Sequence, residues 1–269
     1  MPGYAPAIAT AAPEPAFHID VRFQGGLTAA QRAAFETAAA RWGQIVRADV
    51  PAVVVDGETI DDVRIDAEGT AIDGPGAVLG QAGPLQLRPG SFIPATGVMS
   101  FDSADLAQME SDGSLVSVIV HEMGHVLGFG TIFDRVGLIT GAGGADPQFT
   151  GEHAIREYAA LLGAGARPRS VPLANVGGPG TRDGHWREAV FANELMTGFL
   201  DSGPNPISRL TIGAFEDLGY QVDYARADAY RLPTAQELQE RQAARELHGH
   251  DCVILVPEQT VLPASALVA

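Results

Sequence analysis

The stretch His121-Glu122-Met123-Gly124-His125-Val126-Leu127-Gly128 decides how this chain is read. On an α-helix, residues four apart share one face, so His121 and His125 can aim their imidazoles at a single metal ion. Glu122, one position along, has its carboxylate placed for the water such an ion activates, not for the ion itself. Val116, Val118, Ile119, Val120, Val126 and Leu127 predict a strongly apolar helix, capped by Asp112 or Ser111. Its neighbours on the metal face, Ser117, Gly124 and Gly128, are small and leave room for an ion and a ligand. Two satisfied histidines in an ordinary core helix are the bland alternative. It leaves a buried carboxylate between them in need of a partner.

A catalytic zinc takes three protein ligands and keeps a fourth position open. Two histidines are therefore one short, and His153, His185, His248, His250 or a downstream Glu must supply the third. Gly128 stands where H-E-x-x-H-x-x-G ends the active-site helix of metzincins, but the position three residues further on is Thr131, not His. His185 has the most distinctive setting: Gly178-Pro179-Gly180-Thr181-Arg182-Asp183-Gly184-His185-Trp186-Arg187-Glu188, followed by Asn193-Glu194-Leu195-Met196-Thr197-Gly198. On these residues the chain resembles the leishmanolysin family of metzincin peptidases. In that family a long insertion precedes the third His, a Trp follows it, and an E-L-M segment carries the Met-turn. The matching positions are His121, Glu122, His125, Gly128, His185, Trp186, Glu194, Leu195 and Met196. The resemblance runs from about Phe17 to Tyr224, specific at the two motifs and loose between them, and is nearer to compact bacterial relatives than to cysteine-rich protozoan surface enzymes.

What the resemblance implies is a zinc endopeptidase with one Zn²⁺ per chain on His121, His125 and His185, and Glu122 as general base. Met196 would be a packing floor under the metal. Some metzincins carry a Tyr two residues after that Met; here the position is Gly198. The fold expected is α+β, a metzincin-type zincin. Residues 17–130 would form an upper lobe, a mixed twisted sheet backing the zinc helix. Residues 131–257 would form a loop-rich, helical lower lobe bearing the third His and the Met-turn, between tails at 1–16 and 258–269. By the same resemblance Gly97, Val98, Met99, Ser100 and Phe101 would be the edge strand that pairs with an extended substrate. Secretion is also implied.

Composition sets further bounds. The chain has 269 residues, 46% of them hydrophobic, ample for a core. With 17 basic against 33 acidic residues, the net charge of −16 disfavours nucleic acid and anionic membrane as partners. Protein or peptide substrates and a monomer are expected. Cys252 is the sole cysteine, so no intrachain disulfide forms, and it reads as a small apolar residue of Cys252–Val256. Met1–Ala16 lacks Lys, Arg and an apolar core and does not read as a signal peptide, and no run is apolar enough to span a membrane.

Phe17–Phe23 alternates as a half-buried strand with His18 outward. Thr28 and Gln31 form a capping box, and Phe35, Ala38, Trp42 and Ile45 make the stripe of the following helix. Short strands are predicted at 53–55, 63–65, 85–87 and 98–101. Later helices are predicted at 151–162, from Ser208 to Leu218 with Gly219 as stop, and from Thr234 to about Leu247, where Glu237 and Arg241 stand at ion-pair spacing. His153 and the pair His248 and His250 read as solvated helix ends. Gly143–Asp146 is one imperfect copy of a calcium-type glycine repeat, which an ordinary loop explains.

Two alternatives remain at this point. Glu194 could be the third ligand, with His185 structural. Or the chain is a non-catalytic binding or adhesion protein with a structural zinc, a reading that leaves Glu122 without a purpose.

Overall fold

A computed structural model describes residues 17–72, 74, 78–178, 180–200, 203–248 and 253–268; the expected N-terminal tail, Cys252 and His250 lie outside them. Strand β1 (Ile19–Gly25) leads to helix α1 (Ala29–Ile45). The Thr28 hydroxyl accepts from the Gln31 amide while the Gln31 side chain accepts from the Thr28 amide, the expected box. Phe35, Ala38, Trp42 and Ile45 are fully buried, as their spacing predicts. Strands β2 (Val53–Val55) and β3 (Glu58–Ile60) form a hairpin on Asp56-Gly57, both at positive φ as a tight two-residue turn requires.

Strands β4 (Val63–Thr70), β5 (Val78–Leu87) and β6 (Pro94–Asp102) complete the main sheet. Its order is β1-β4-β6-β5; the first three run parallel and β5 antiparallel to β6. This overturns the edge-strand expectation for Gly97, Val98, Met99, Ser100 and Phe101. Gly97 pairs with Ile65 of β4 on one side and Pro84 of β5 on the other, so β6 has no free edge. Nearly all of β6 is buried, the signature of an internal strand. Gly97 serves a different need: a Cβ there would lie 2.4 Å from the Val126 side chain of the histidine-bearing helix.

A helix not anticipated from the sequence, α2 (Ser103–Asp112), follows β6, with Asp102 capping the Ala104 amide and Gly113 ending it at φ 80°. Ser111 and Asp112 therefore close α2 and do not cap the next helix. Helix α3 (Leu115–Val126) begins after Ser114 and packs against α1, β5 and β6. The indole of Trp42 clamps α1 to α3 by donating to Val120 O at 2.9 Å.

Beyond α3 come β7 (Ile139–Thr140), β8 (Gln148–Phe149), α4 (Glu152–Leu162) and β9 (Val171–Pro172), the three strands forming a small sheet. Helices α5 (Glu188–Phe191), α6 (Arg209–Asp217) and α7 (Ala235–His248) follow. Ser208 caps α6 and Gly219, at φ 103°, stops it. Thr234 and Glu237 form the box that opens α7, and Glu237 also pairs with Arg231 at 2.6 Å. Strands β10 (Val253–Leu255) and β11 (Thr260–Val261) then return to the main sheet, both parallel to β5. Segments assigned from sequence to the lower lobe and a C-terminal tail thus extend the first sheet. No described helix is long and apolar enough to cross a membrane.

Candidate metal centre

Helix α3 presents His121 and His125 on one face, as the four-residue spacing dictates, and His185 comes to them from the loop before α5. The three Nε2 atoms stand 2.9–3.1 Å from one another, and the rings are almost wholly buried. Each Nδ1 meets a backbone carbonyl: His121 with Leu195 O at 2.6 Å, His125 with Phe129 O at 2.8 Å, His185 with Thr181 O at 3.0 Å. A carbonyl can only accept, so each Nδ1 carries the proton and each Nε2 turns a lone pair inward. Three inward lone pairs repel unless a cation sits among them. Tetrahedral zinc with N–Zn bonds of about 2.0–2.1 Å needs its nitrogens about 3.3–3.4 Å apart, a few tenths of an ångström wider than here. The donor set fits zinc. Burial holds the imidazoles in the neutral, ligating form, lowering His121 to about 3, His125 to about 4 and His185 well below its ordinary value.

Local sequence explains how His185 arrives. Gly130 has φ 74°, and a Cβ there would come within 2.2 Å of Gly184 O, so the turn after α3 touches the loop bearing His185 backbone to backbone. His185 O accepts from Ala174 N at 2.8 Å, and Trp186 N donates to Met196 O at 2.9 Å. The Trp186 ring lies among Phe129, Phe149 and Phe191, and its indole donates to Thr211 Oγ1. Met196 is fully buried under α3: a Cβ on Gly124 would lie 3.0 Å from its sulfur. The segment Leu195-Met196 thereby fixes the His121 ring and the backbone beside His185 together.

Glu122 is fully buried in the cleft, its Oε1 3.8 Å from His121 Nε2. Glu194 is elsewhere engaged. Its oxygens accept from Met196 N, Ser208 N, Ser208 Oγ and Thr211 Oγ1 at 2.6–3.0 Å, tying the Met196 segment to α6. That geometry leaves it no lone pair directed at the histidines. Thr131, at the short-pattern position, donates its hydroxyl to His125 O. His153, at the start of α4, pairs with Glu216, and His18 is exposed; neither belongs to the cluster or lines its cleft. Among the described residues, His121, His125 and His185 are the one group able to hold a metal. The carbonyls of Leu195, Phe129 and Thr181 escaped sequence reading because backbone acceptors have no residue signature.

The cleft above the histidines, about 220 Å³, is lined by Ala82 of β5, Glu122, Thr131, Arg182, Asp183 and Val256 among others. A larger apolar cavity of about 460 Å³ lies beyond Thr181, beside Phe199 and Leu238, and has no histidine in its walls.

Fold and site together define a candidate metal centre: a buried three-histidine cluster with a carboxylate beside it. Comparison with known proteins gives the family. The leishmanolysin peptidase family model matches residues 78–238, and the chain belongs to that family. It is 31% identical over 146 residues to a leishmanolysin homolog of Crithidia fasciculata, covering 51% of this chain and 22% of that protein. It is 30% identical over 143 residues to leishmanolysin of Leishmania donovani, covering 50% and 24%. These matches span about a quarter of the relatives' length.

Proposed function

We propose that the chain is a zinc-dependent endopeptidase. The observation that carries the reading is the convergence of three Nδ1-protonated histidines, their Nε2 lone pairs pointing inward, beside a buried glutamate in a cleft. His121, His125 and His185 would hold one zinc ion. A bound zinc ion supplies Lewis-acid polarisation of the scissile carbonyl and lowers the pKa of water to about 7. Glu122 accepts the proton of the attacking water and delivers it to the departing amine. The carbonyls of Leu195, Phe129 and Thr181 hold the three ring orientations, and Met196 packs beneath them as a floor. The reading takes residues 17–130, together with the returning strands β10 and β11, as the upper lobe of a metzincin-type domain and the segment from 131 to α7 as the lower, with protein or peptide substrates lying in the cleft between. Family membership supports placing its action outside the cell.

Zymography on unfolded casein, with and without a strong chelator, tests the reading. Cleared bands that vanish with chelator and return with zinc are expected. A fully zinc-loaded protein that cleaves neither casein nor a broad peptide library would favour a zinc-containing binding protein instead.

A further inference from the structure

An extended peptide crossing the histidine cleft needs a free strand edge for its main-chain hydrogen bonds. β5 borders the cleft through Ala82, and its inner edge is taken by β6. Its outer edge is not open either. Leu255 pairs with Gln81 and Thr260 with Gln86, so five steps of the C-terminal segment match five steps of β5. Between these anchors Val256 forms one wall of the cleft. Pro257, which has no N–H to give a strand partner, sits where a Cβ on Gly83 would approach its ring to 2.7 Å; the glycine makes the seat. Gln259 closes the far side, donating to Thr131 O at 3.1 Å and accepting from Arg135 at 3.0 Å. Leu262 N then donates to Leu87 O at 2.9 Å.

We propose that residues 253–262 are an autoinhibitory strap, a segment of the chain's own that occupies the outer edge of β5 where an extended substrate would pair. The proposal rests on the peptidase reading above. The strap is built to be displaced. Its strands span only three and two residues, and Val256 and Val261 between and within them remain 44% and 43% exposed. A substrate competes with it for the same edge, and apparent affinity falls in proportion to the open fraction.

The test joins the strap covalently. Gln86 and Thr260 are register partners on adjacent strands, within disulfide reach. Gln86→Cys/Thr260→Cys is made in a Cys252→Ser background, with bond formation verified by thiol titration. A second variant, Gln259→Ala/Leu262→Pro, removes the Thr131, Arg135 and Leu87 bonds. Two readouts are taken on the zinc-loaded 269-residue chain. One is kcat/KM on an internally quenched unstructured peptide. The other is binding of a fluorescein-labelled peptide copying residues 253–262, measured in a Glu122→Gln background. The oxidised lock should lower both at least about tenfold against its reduced form, and the loosened variant should raise both above wild type. Equal cleavage and equal peptide binding by oxidised, reduced and loosened forms would overturn the strap. If no form cleaves but the lock still blocks peptide binding, the strap stands and the peptidase reading falls.

Discussion

His121, His125 and His185 each spend one ring nitrogen on a carbonyl, which leaves the other nitrogen able to serve as the ligand proposed for it. His185→Ala should therefore lose most of the bound zinc by elemental analysis. Glu194→Ala should keep the zinc but lower the melting temperature, because Met196 N, Ser208 and Thr211 would lose a buried acceptor at about 1–3 kcal/mol for each unsatisfied donor. Retention of zinc by the first variant and loss by the second would return Glu194 to the ligand set. Glu122→Gln should fold and bind zinc normally while peptide cleavage falls by about 10²–10⁴, since an amide cannot take the water's proton. Undiminished cleavage with intact zinc would remove Glu122 from the chemistry. The residues that the fold brings together here were legible in the sequence because their side chains carry the chemistry: His121, Glu122 and His125 by spacing, His185 by the Trp186 and Met196 beside the motif. The carbonyls that orient the rings belong to residues of any type, and only the folded backbone reveals them.

At the level of elements, what was legible followed local rules. The capping box at Thr28, the stripe of α1 and the Gly219 stop of α6 depend on residues within a turn or two of each other, and all are present. What failed depended on partners far along the chain. β6 could not be told from an edge strand, because its two neighbours lie about 10 to 30 residues away and the alternation of its own side chains is the same in either case. Gly97 and Gly130 carried the missing information, each marking a place where another part of the chain must come close. Gly130→Ala tests this. Its Cβ would meet Gly184 O at 2.2 Å on a backbone of φ 74°, so the loop bearing His185 must move. Zinc affinity should fall on the order of tenfold, the scale seen when the groups that orient a ligand are disturbed, with secondary structure retained. A competition titration against a chromophoric chelator measures it; unchanged affinity would show that the loop is not held by this contact.

For the whole molecule, the proposed metal site is also a charge buried in waiting. Three imidazoles sit in the core of an otherwise acidic protein, and burial keeps them neutral, His121 down to about 3 and His125 to about 4. In the unfolded chain the same groups titrate near 6.5. As pH falls below that value the unfolded state gains protons that the folded state refuses, so the folded form loses stability by about 1.4 kcal/mol per pH unit for each proton of difference. Glu194, Asp62 and Asp217 act in the opposite sense, since burial raises each pKa and the folded state takes the proton first, but Glu58, Asp112 and Glu237, each lowered by hydrogen bonds, act with the histidines and offset them. The chelator-treated protein should therefore melt lower at pH 5 than at pH 7.5, with the decline set between about 6.5 and 4 and no comparable change above 7. Zinc should raise the melting temperature at pH 7.5, since it binds the folded cluster and relieves the opposed lone pairs, and should lose that effect in acid as protons compete for the same nitrogens. Differential scanning calorimetry of both forms across this range gives the answer. A metal-free protein equally stable at pH 5 and 7.5 would mean that the three histidines already bind protons in the folded state, and are not the neutral imidazoles proposed as ligands.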